Sequence, residues 1–240
     1  MELSVVVPVR DEAENIEPLI AEIHAALDSG MAFEVVYVDD GSGDDTPARL
    51  ASARRRYPRL RTLRHARSCG QSAAILTGVL AARGEWIATL DGDGQNDPAD
   101  IPALWRRLGE DGGRNEMLAI VGYRRKRRDS ALRRVASRIA NFIRARLLRD
   151  RTPDTGCGLK LFARAAFLAL PRFDHMHRFL PALFLARGLA VVSVEVNHRP
   201  RQRGQSKYGI LDRLWVGIID LFGVKWLLGR TSVPDVTEEE

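Results

Sequence analysis

From its start to about residue 122 the chain alternates short apolar runs with segments of helical period, and this alternation constrains the fold more than any other feature. Leu3 to Pro8 reads as a first strand. Ile16, Leu19, Ile20, Ile23 and Leu27 follow at helical spacing. Phe33 to Val38 is a second strand and runs into Asp39-Asp40-Gly41-Ser42. Thr46 reads as an N-cap with Pro47 at the first helical position, opening a helix to about Tyr57. Leu60 to Leu63 suits a short third strand, Ser72 to Ala82 a helix of small residues, and Trp86 to Leu90 a buried strand. Such alternation builds βαβ units, so the expected fold is α/β, a doubly wound, mostly parallel sheet with flanking helices. Right-handed crossovers then bring the ends at Pro8, Asp39 and Asp91 to one edge of the sheet.

The third of those ends is the most informative. Trp86 to Leu90 stops at Asp91-Gly92-Asp93-Gly94-Gln95, two carboxylates separated by one glycine. Ligands of open α/β sheets sit beyond the carboxyl ends of strands. Mg²⁺ typically takes one or two protein carboxylates and fills its other positions with water and phosphate oxygens. The competing reading is a plain Asp-Gly turn. No glycine-rich loop follows the first strand, where Val7-Pro8-Val9-Arg10 stands instead, which argues against a dinucleotide fingerprint, a P-loop or a nucleotidyltransferase.

With 240 residues, 45% hydrophobic and 28% charged, the chain suits one large α/β domain and excludes wholesale disorder. Two cysteines, Cys69 and Cys157, are too few for a disulfide framework. With no signal peptide, they point to a reducing, cytoplasmic setting. The net charge of +6 is clustered, with arginines dense between Arg124 and Arg151 and again at Arg199, Arg201, Arg203 and Lys207. Such clusters attract nucleic acid, phosphorylated small molecules or an anionic membrane surface.

Beyond Asp97-Pro98, Asp100 to Leu108 reads as a helix and Leu118 to Gly122 as a strand. Ser130 to Leu148 reads as an amphipathic helix with a basic face, Ala163 to Ala169 and Phe179 to Arg187 as helices, and Ala190 to Val196 as a strand. Gly209 to Gly229 is rich in Leu, Ile, Val and Trp but carries Asp212, Arg213, Asp220 and Lys225. Central charges are expensive in a spanning helix, so this segment is expected to lie in the membrane interface with Trp215 and Trp226 at headgroup level. The competing reading packs it on the protein's own core or on a partner. The expected division is a catalytic domain over residues 1–208, the amphipathic segment over 209–229 and a disordered acidic tail over 230–240.

Six blocks taken together resemble family 2 glycosyltransferases of the GT-A fold, and within them the polyprenyl-phosphate sugar transferases of the dolichol-phosphate mannose synthase type. The blocks are Val7 to Asn15, Val38-Asp39-Asp40-Gly41-Ser42, Gly70 to Gly78, Leu90 to Pro98, Asp154 to Lys160, and Arg201 to Tyr208. Asp11 departs from the family's usual Asn. The resemblance implies that Pro8, Val9, Glu12, Asp39 and Asp40 bind the nucleoside of a UDP- or GDP-sugar donor. It implies that Asp91, Gly92 and Asp93 meet the donor diphosphate, with Asp91, Asp93 and Gln95 holding Mg²⁺ or Mn²⁺. Arg124, Arg133 or Arg134, and Ser137 would clasp the acceptor phosphate. Arg201, Ser206 and Lys207 match a loop that closes on the diphosphate. Asp154 is a candidate for orienting the acceptor or acting as base, against a plain turn-forming role; His175, His177 and His198 receive none.

The implied reaction is inverting transfer of the sugar to a polyprenyl (undecaprenyl or dolichyl) phosphate. It would occur in the cytoplasm, peripherally on the inner face of the cell membrane, alone or with a separate integral membrane partner. A family 2 enzyme with a soluble or polysaccharide acceptor would leave the basic clusters and the apolar tail without purpose. A non-catalytic nucleic-acid-binding protein would leave the three acidic strand ends unexplained, so no nucleic-acid partner is expected.

Overall fold

In the computed structural model, residues 1–28, 30–110, 116–124, 143–200 and 210–230 are described, the last stretch with side chains from residue 216 onward. Strand β1 (Leu3–Val9) leads to α1 (Ala13–Leu27), β2 (Phe33–Asp39), α2 (Thr46–Arg56), β3 (Leu60–Arg64), α3 (Gln71–Ala81) and β4 (Trp86–Thr89). A 3-10 turn (Pro98–Asp100) opens α4 (Ile101–Gly109), followed by β5 (Leu118–Tyr123) and a helical stretch over residues 143–148, α5. The chain continues through β6 (Lys160–Ala163), α6 (Arg164–Leu168), a second 3-10 turn (Met176–Arg178), α7 (Leu180–Ala186), β7 (Ala190–Glu195) and α8 (Ile210–Leu228).

The strands pair in the order β3-β2-β1-β4-β6-β5-β7. Every pairing is parallel except those of β6, which runs antiparallel to both β4 and β5. The doubly wound, mostly parallel sheet expected from the alternation is therefore present, with one reversed strand that the sequence did not announce. Because β1 and β2 are buried along their whole length, they read as continuous apolar runs rather than alternating ones. Their side chains still alternate between two cores. Val5, Val7, Phe33, Val35 and Tyr37 face the layer formed by α1, α2 and α4, through Ile16, Ile20, Ile23, Leu50 and Leu104. Val6, Val36 and Val38 face α3, α6 and α7, through Ala74, Val79, Phe167, Leu183 and Phe184. Phe162 of β6 is fully buried, its ring 5.3 Å from Phe167 and 5.2 Å from Phe184.

Two local expectations are corrected. Thr46 does not cap α2: it is the first helical residue, and its hydroxyl accepts from the Glu12 N–H at 2.9 Å. Asp44 takes the local role, accepting from Thr46 N–H at 2.9 Å. The helix expected from Asp100 begins as a 3-10 turn in which Asp97 accepts from Ala99 N–H. The basic stretch from residue 130 is described as helix only over 143–148; its earlier part lies outside the described residues, as does the tail from residue 231.

Helix α8 presents two faces. Val224 is 2% exposed and joins the second core, whereas Ile219, Phe222 and Trp226, at helical spacing, are 67%, 62% and 63% exposed. No described helix is long and apolar enough to cross a membrane. The side chain of Trp215 lies outside the described residues.

Candidate active site

The ends of β1, β2 and β4 meet at one edge, as parallel pairing requires. The Asp40 N–H donates to Val9 O at 2.8 Å and Leu90 N–H to Val6 O at 3.1 Å. Ser42 Oγ accepts from the Asp11 N–H at 2.8 Å, and Asp11 Oδ1 accepts from the Gly43 N–H at 2.7 Å. Asp11 adopts φ 51°, a left-handed conformation that Asp and Asn tolerate best among non-glycine residues. An amide oxygen can accept that bond equally well, which gives the Asn-to-Asp departure a physical basis. Glu12 accepts from Asn15 Nδ2 at 2.6 Å. Gly92 is where the β4 loop crosses β1: a Cβ there would lie 2.3 Å from Val9 Cγ1 and 3.0 Å from Pro8 O. Pro8, Val9, Glu12, Asp39 and Gly92 thus cluster around one junction.

The Asp39-Asp40 loop is locked. Asp39 accepts from Ser42 N–H at 2.9 Å and faces Arg64 at 3.2 Å. Asp40 Oδ1 meets His65 Nδ1 and the Cys69 N–H, each at 2.7 Å, while Oδ2 accepts from Ser68 Oγ at 2.7 Å and Gly70 N–H at 2.9 Å. Burial pushes the Asp40 carboxyl up, but these four donors outweigh it and hold its pKa below the usual value. Ligating atoms of Asp40, His65 and Cys69 lie within 4.8 Å of one another. Both His65 nitrogens are nonetheless engaged, the second with Thr77 Oγ1 at 2.9 Å, so this cluster ties the 65–70 loop to the sheet.

The Asp91 loop is the reverse. Asp91 lines a cavity of about 540 Å³ together with Pro8, Gln71, Gly158, Lys160 and His177. Its Oδ1 accepts from Gln71 Nε2 at 2.8 Å. Burial and then the like charge of Asp93 push the Asp91 pKa up, against the opposing pull of Lys160, Arg124 and Gln71. A Cβ on Gly158 would lie 2.2 Å from Asp91 Oδ2, so only glycine leaves the carboxylate its place. Asp93 Oδ1 accepts from Gln95 N–H at 3.1 Å, which brings the Gln95 backbone against the same carboxylate. Lys160 is 4% exposed, its ammonium donates to Cys157 O, and burial lowers its pKa.

Arg124 leaves the end of β5 and is clasped by Asp154 through Nε to Oδ2 at 2.6 Å and Nη2 to Oδ1 at 2.9 Å. Burial opposes the Arg124 charge, but Asp154 outweighs it and raises the guanidinium pKa. Asp154 therefore fixes Arg124 beside the 155–158 loop that lines the cavity. Arg133, Arg134, Ser137, Arg201, Ser206 and Lys207 lie outside the described residues.

The cavity also contains residues to which the sequence assigned no role. Gln71 and Lys160 sit inside two of the family blocks, a signal that could have raised them. His177 had none, since its partner Ser72 is 105 residues away, with Ser72 Oγ 2.7 Å from Nδ1.

Comparison with known proteins agrees with this geometry. A sequence model described as glycosyl transferase family 2 matches residues 4–170. A dodecaprenyl-phosphate galacturonate synthase of Rhizobium johnstonii is 37% identical over 242 residues, covering 98% of this chain and 69% of the relative. An undecaprenyl-phosphate 4-deoxy-4-formamido-L-arabinose transferase of Edwardsiella ictaluri is 34% identical over 212 residues, covering 87% of this chain. The chain spans only 63% of that second relative's length. Among solved structures, the glucosyl-3-phosphoglycerate synthase of Mycobacterium tuberculosis, crystallised with Mn²⁺, UDP and glucosyl-3-phosphoglycerate, superposes with a TM-score of 0.69 at 21% identity. That likeness covers 98% of this chain and 81% of the other, and it supports the GT-A architecture. Three acidic strand ends on a mostly parallel sheet, matched along most of their length, make this chain a member of glycosyl transferase family 2.

Proposed function

We propose that this protein transfers a sugar, with inversion, from a UDP- or GDP-sugar to a polyprenyl phosphate at the inner surface of the cell membrane. The observation that carries the reading is the Asp91 carboxylate. It is half-buried beside Asp93, raised in pKa, and set in the wall of a 540 Å³ cavity with Lys160. A like-charged carboxylate pair held that way suits a divalent cation. Asp91, Asp93 and Gln95 are the residues that would hold Mg²⁺ or Mn²⁺, which would supply positive charge to a departing nucleotide diphosphate.

The protein's own groups do the rest. Pro8, Val9, Glu12 and Asp39 surround the junction where the nucleoside would lie, and Asp40 supports it by fixing the 65–70 loop. A phosphate monoester with a second pKa of ~6 is largely dianionic at neutral pH, so it is already a nucleophile and needs no strong base. Asp154 is thereby left with an orienting role. It holds Arg124, whose charge would offset repulsion between acceptor phosphate and donor diphosphate. Arg133, Arg134, Ser137, Arg201, Ser206 and Lys207 complete the proposed cationic cradle. The exposed Ile219, Phe222 and Trp226 of α8 would seat the protein in the interface, alone or with an integral membrane partner. The names of the two relatives support the lipid-phosphate acceptor. Incubating the protein with radiolabelled nucleotide sugars, Mg²⁺ or Mn²⁺ and undecaprenyl phosphate should give label in the organic phase. Absence of transfer from every UDP- and GDP-sugar would reject the reading.

A further inference from the structure

His177 enters the cavity from the 3-10 turn before α7, far along the chain from the acidic loops. Its backbone N–H donates to Ser72 Oγ at 3.3 Å, and the same hydroxyl lies 2.7 Å from His177 Nδ1. A hydroxyl can accept twice, but among the described residues Ser72 Oγ has no other acceptor for its own proton, so the pairing that satisfies it sends that proton onto Nδ1 and leaves the ring proton on Nε2. Nε2 has no hydrogen-bond partner among the described residues, and His177 lines the cavity. Arg178 lines the same wall, likewise without a side-chain hydrogen-bond partner among the described residues, and Ile75 and Leu180 add an apolar patch. The volume, about 540 Å³, is in the range of small-ligand pockets, and such pockets pair apolar walls with a few fixed polar groups.

We propose that His177 is a neutral, preset hydrogen-bond donor of the donor-sugar subsite, locked in its Nε2–H form by Ser72 and directed at an oxygen of the sugar. The inference rests on the transferase reading above. With the nucleoside at the Pro8 and Asp39 junction and the diphosphate at Asp91, the part of the donor left to fill the cavity toward the 174–178 turn is the sugar. Neutrality follows from the surroundings: burial first, then Lys160, Arg178 and His175, hold the His177 pKa down to about 3. The ring therefore neither adds a charge nor moves a proton during transfer. A donor fixed before binding costs little ordering, and it discriminates against sugars that lack the matching oxygen.

Calorimetry on the full chain with Mn²⁺ tests this, using UDP, GDP, UDP-glucose, UDP-galacturonate and GDP-mannose as probes. His177→Ala should weaken the nucleotide sugar that the wild type prefers by about three- to tenfold, the usual worth of one hydrogen bond, and leave bare nucleotide affinity unchanged. His177→Gln, whose amide N–H reaches close to the Nε2 position, should restore most of that loss. Ser72→Ala should weaken the same probe less, by releasing the tautomer. Equal losses for nucleotide and nucleotide sugar, or no loss in His177→Ala, would overturn the inference while leaving the transferase reading standing. Failure of every probe to bind the wild type would overturn that reading, and this inference with it. Independently of any probe, ¹⁵N NMR of the wild type near pH 7 should show the Nε2–H tautomer; an Nδ1–H or doubly protonated His177 would overturn the proposal by itself.

Discussion

Asp39-Asp40 and Asp91-Gly92-Asp93 both leave parallel strands at the same edge of the sheet, yet their carboxylates occupy opposite electrostatic settings. Asp40 meets four donors, from His65, Ser68, Cys69 and Gly70, and its pKa falls. Asp91 has one hydrogen-bond donor among the described residues, Gln71, with Asp93 beside it, and its pKa rises. A carboxylate whose lone pairs are filled by the protein builds structure. One that is held against its own kind reduces stability and is left with charge to share with a ligand. Asp40 thus serves structure, and Asp91 is left to chemistry.

The most severe way to break this contrast is Asp93→Ala, which should cut sugar transfer by about a thousandfold while leaving the melting temperature of the metal-free protein unchanged or higher. Activity assays beside thermal melts check both halves. Asp40→Ala should do the opposite, costing about 3 kcal/mol of stability in urea unfolding because several buried donors lose their acceptor at once. Gly158→Ala pushes a methyl group into Asp91 Oδ2 and should weaken Mn²⁺ binding about ten- to a hundredfold, read by calorimetry with UDP present.

The pH dependence sharpens the comparison further. Asp91 has a raised folded pKa, so its contribution to stability is fully present below the unfolded carboxylate range and is lost as pH rises through the raised value. Asp40 has a lowered folded pKa, so its contribution is present above the ordinary range and is lost as pH falls through the lowered value. In urea unfolding with EDTA present, Asp91→Asn should remove the first effect and gain about 1 kcal/mol near neutral pH, and Asp40→Asn should remove the second. The smallest change belongs to Asp11→Asn: the amide can accept from Gly43 N–H in the same left-handed conformation, and stability should shift by less than about 0.5 kcal/mol.

Much of this is legible in the residues. The alternation up to Leu90 places β1, β2, β4 and their converging ends, because buried parallel strands are continuous apolar runs and the helices between them keep their period. β6 is not legible. Lys160–Ala163 is four buried residues with no readable period, and its reversed direction is fixed by pairing with Trp86–Thr89 and with Ile120 and Val121, far along the chain. Thr46 misleads for a related reason: its hydroxyl serves the Glu12 loop rather than its own helix, a contact across 34 residues. His177 escapes a reading of the sequence because a tautomer is set by a partner, and Ser72 becomes that partner only once α3 and the 174–178 turn meet. The Arg124–Asp154 clasp separates its members by 30 residues, so each can be proposed for the site without the pairing being visible.

One measurement decides between the loops directly. Crystals of the wild-type protein grown with UDP and MnCl₂ should, at the manganese absorption edge, give an anomalous peak between the Asp91 and Asp93 carboxylates, on the cavity side of Gly158. A peak at Asp39 and Asp40 instead, or none with UDP bound, would contradict the account.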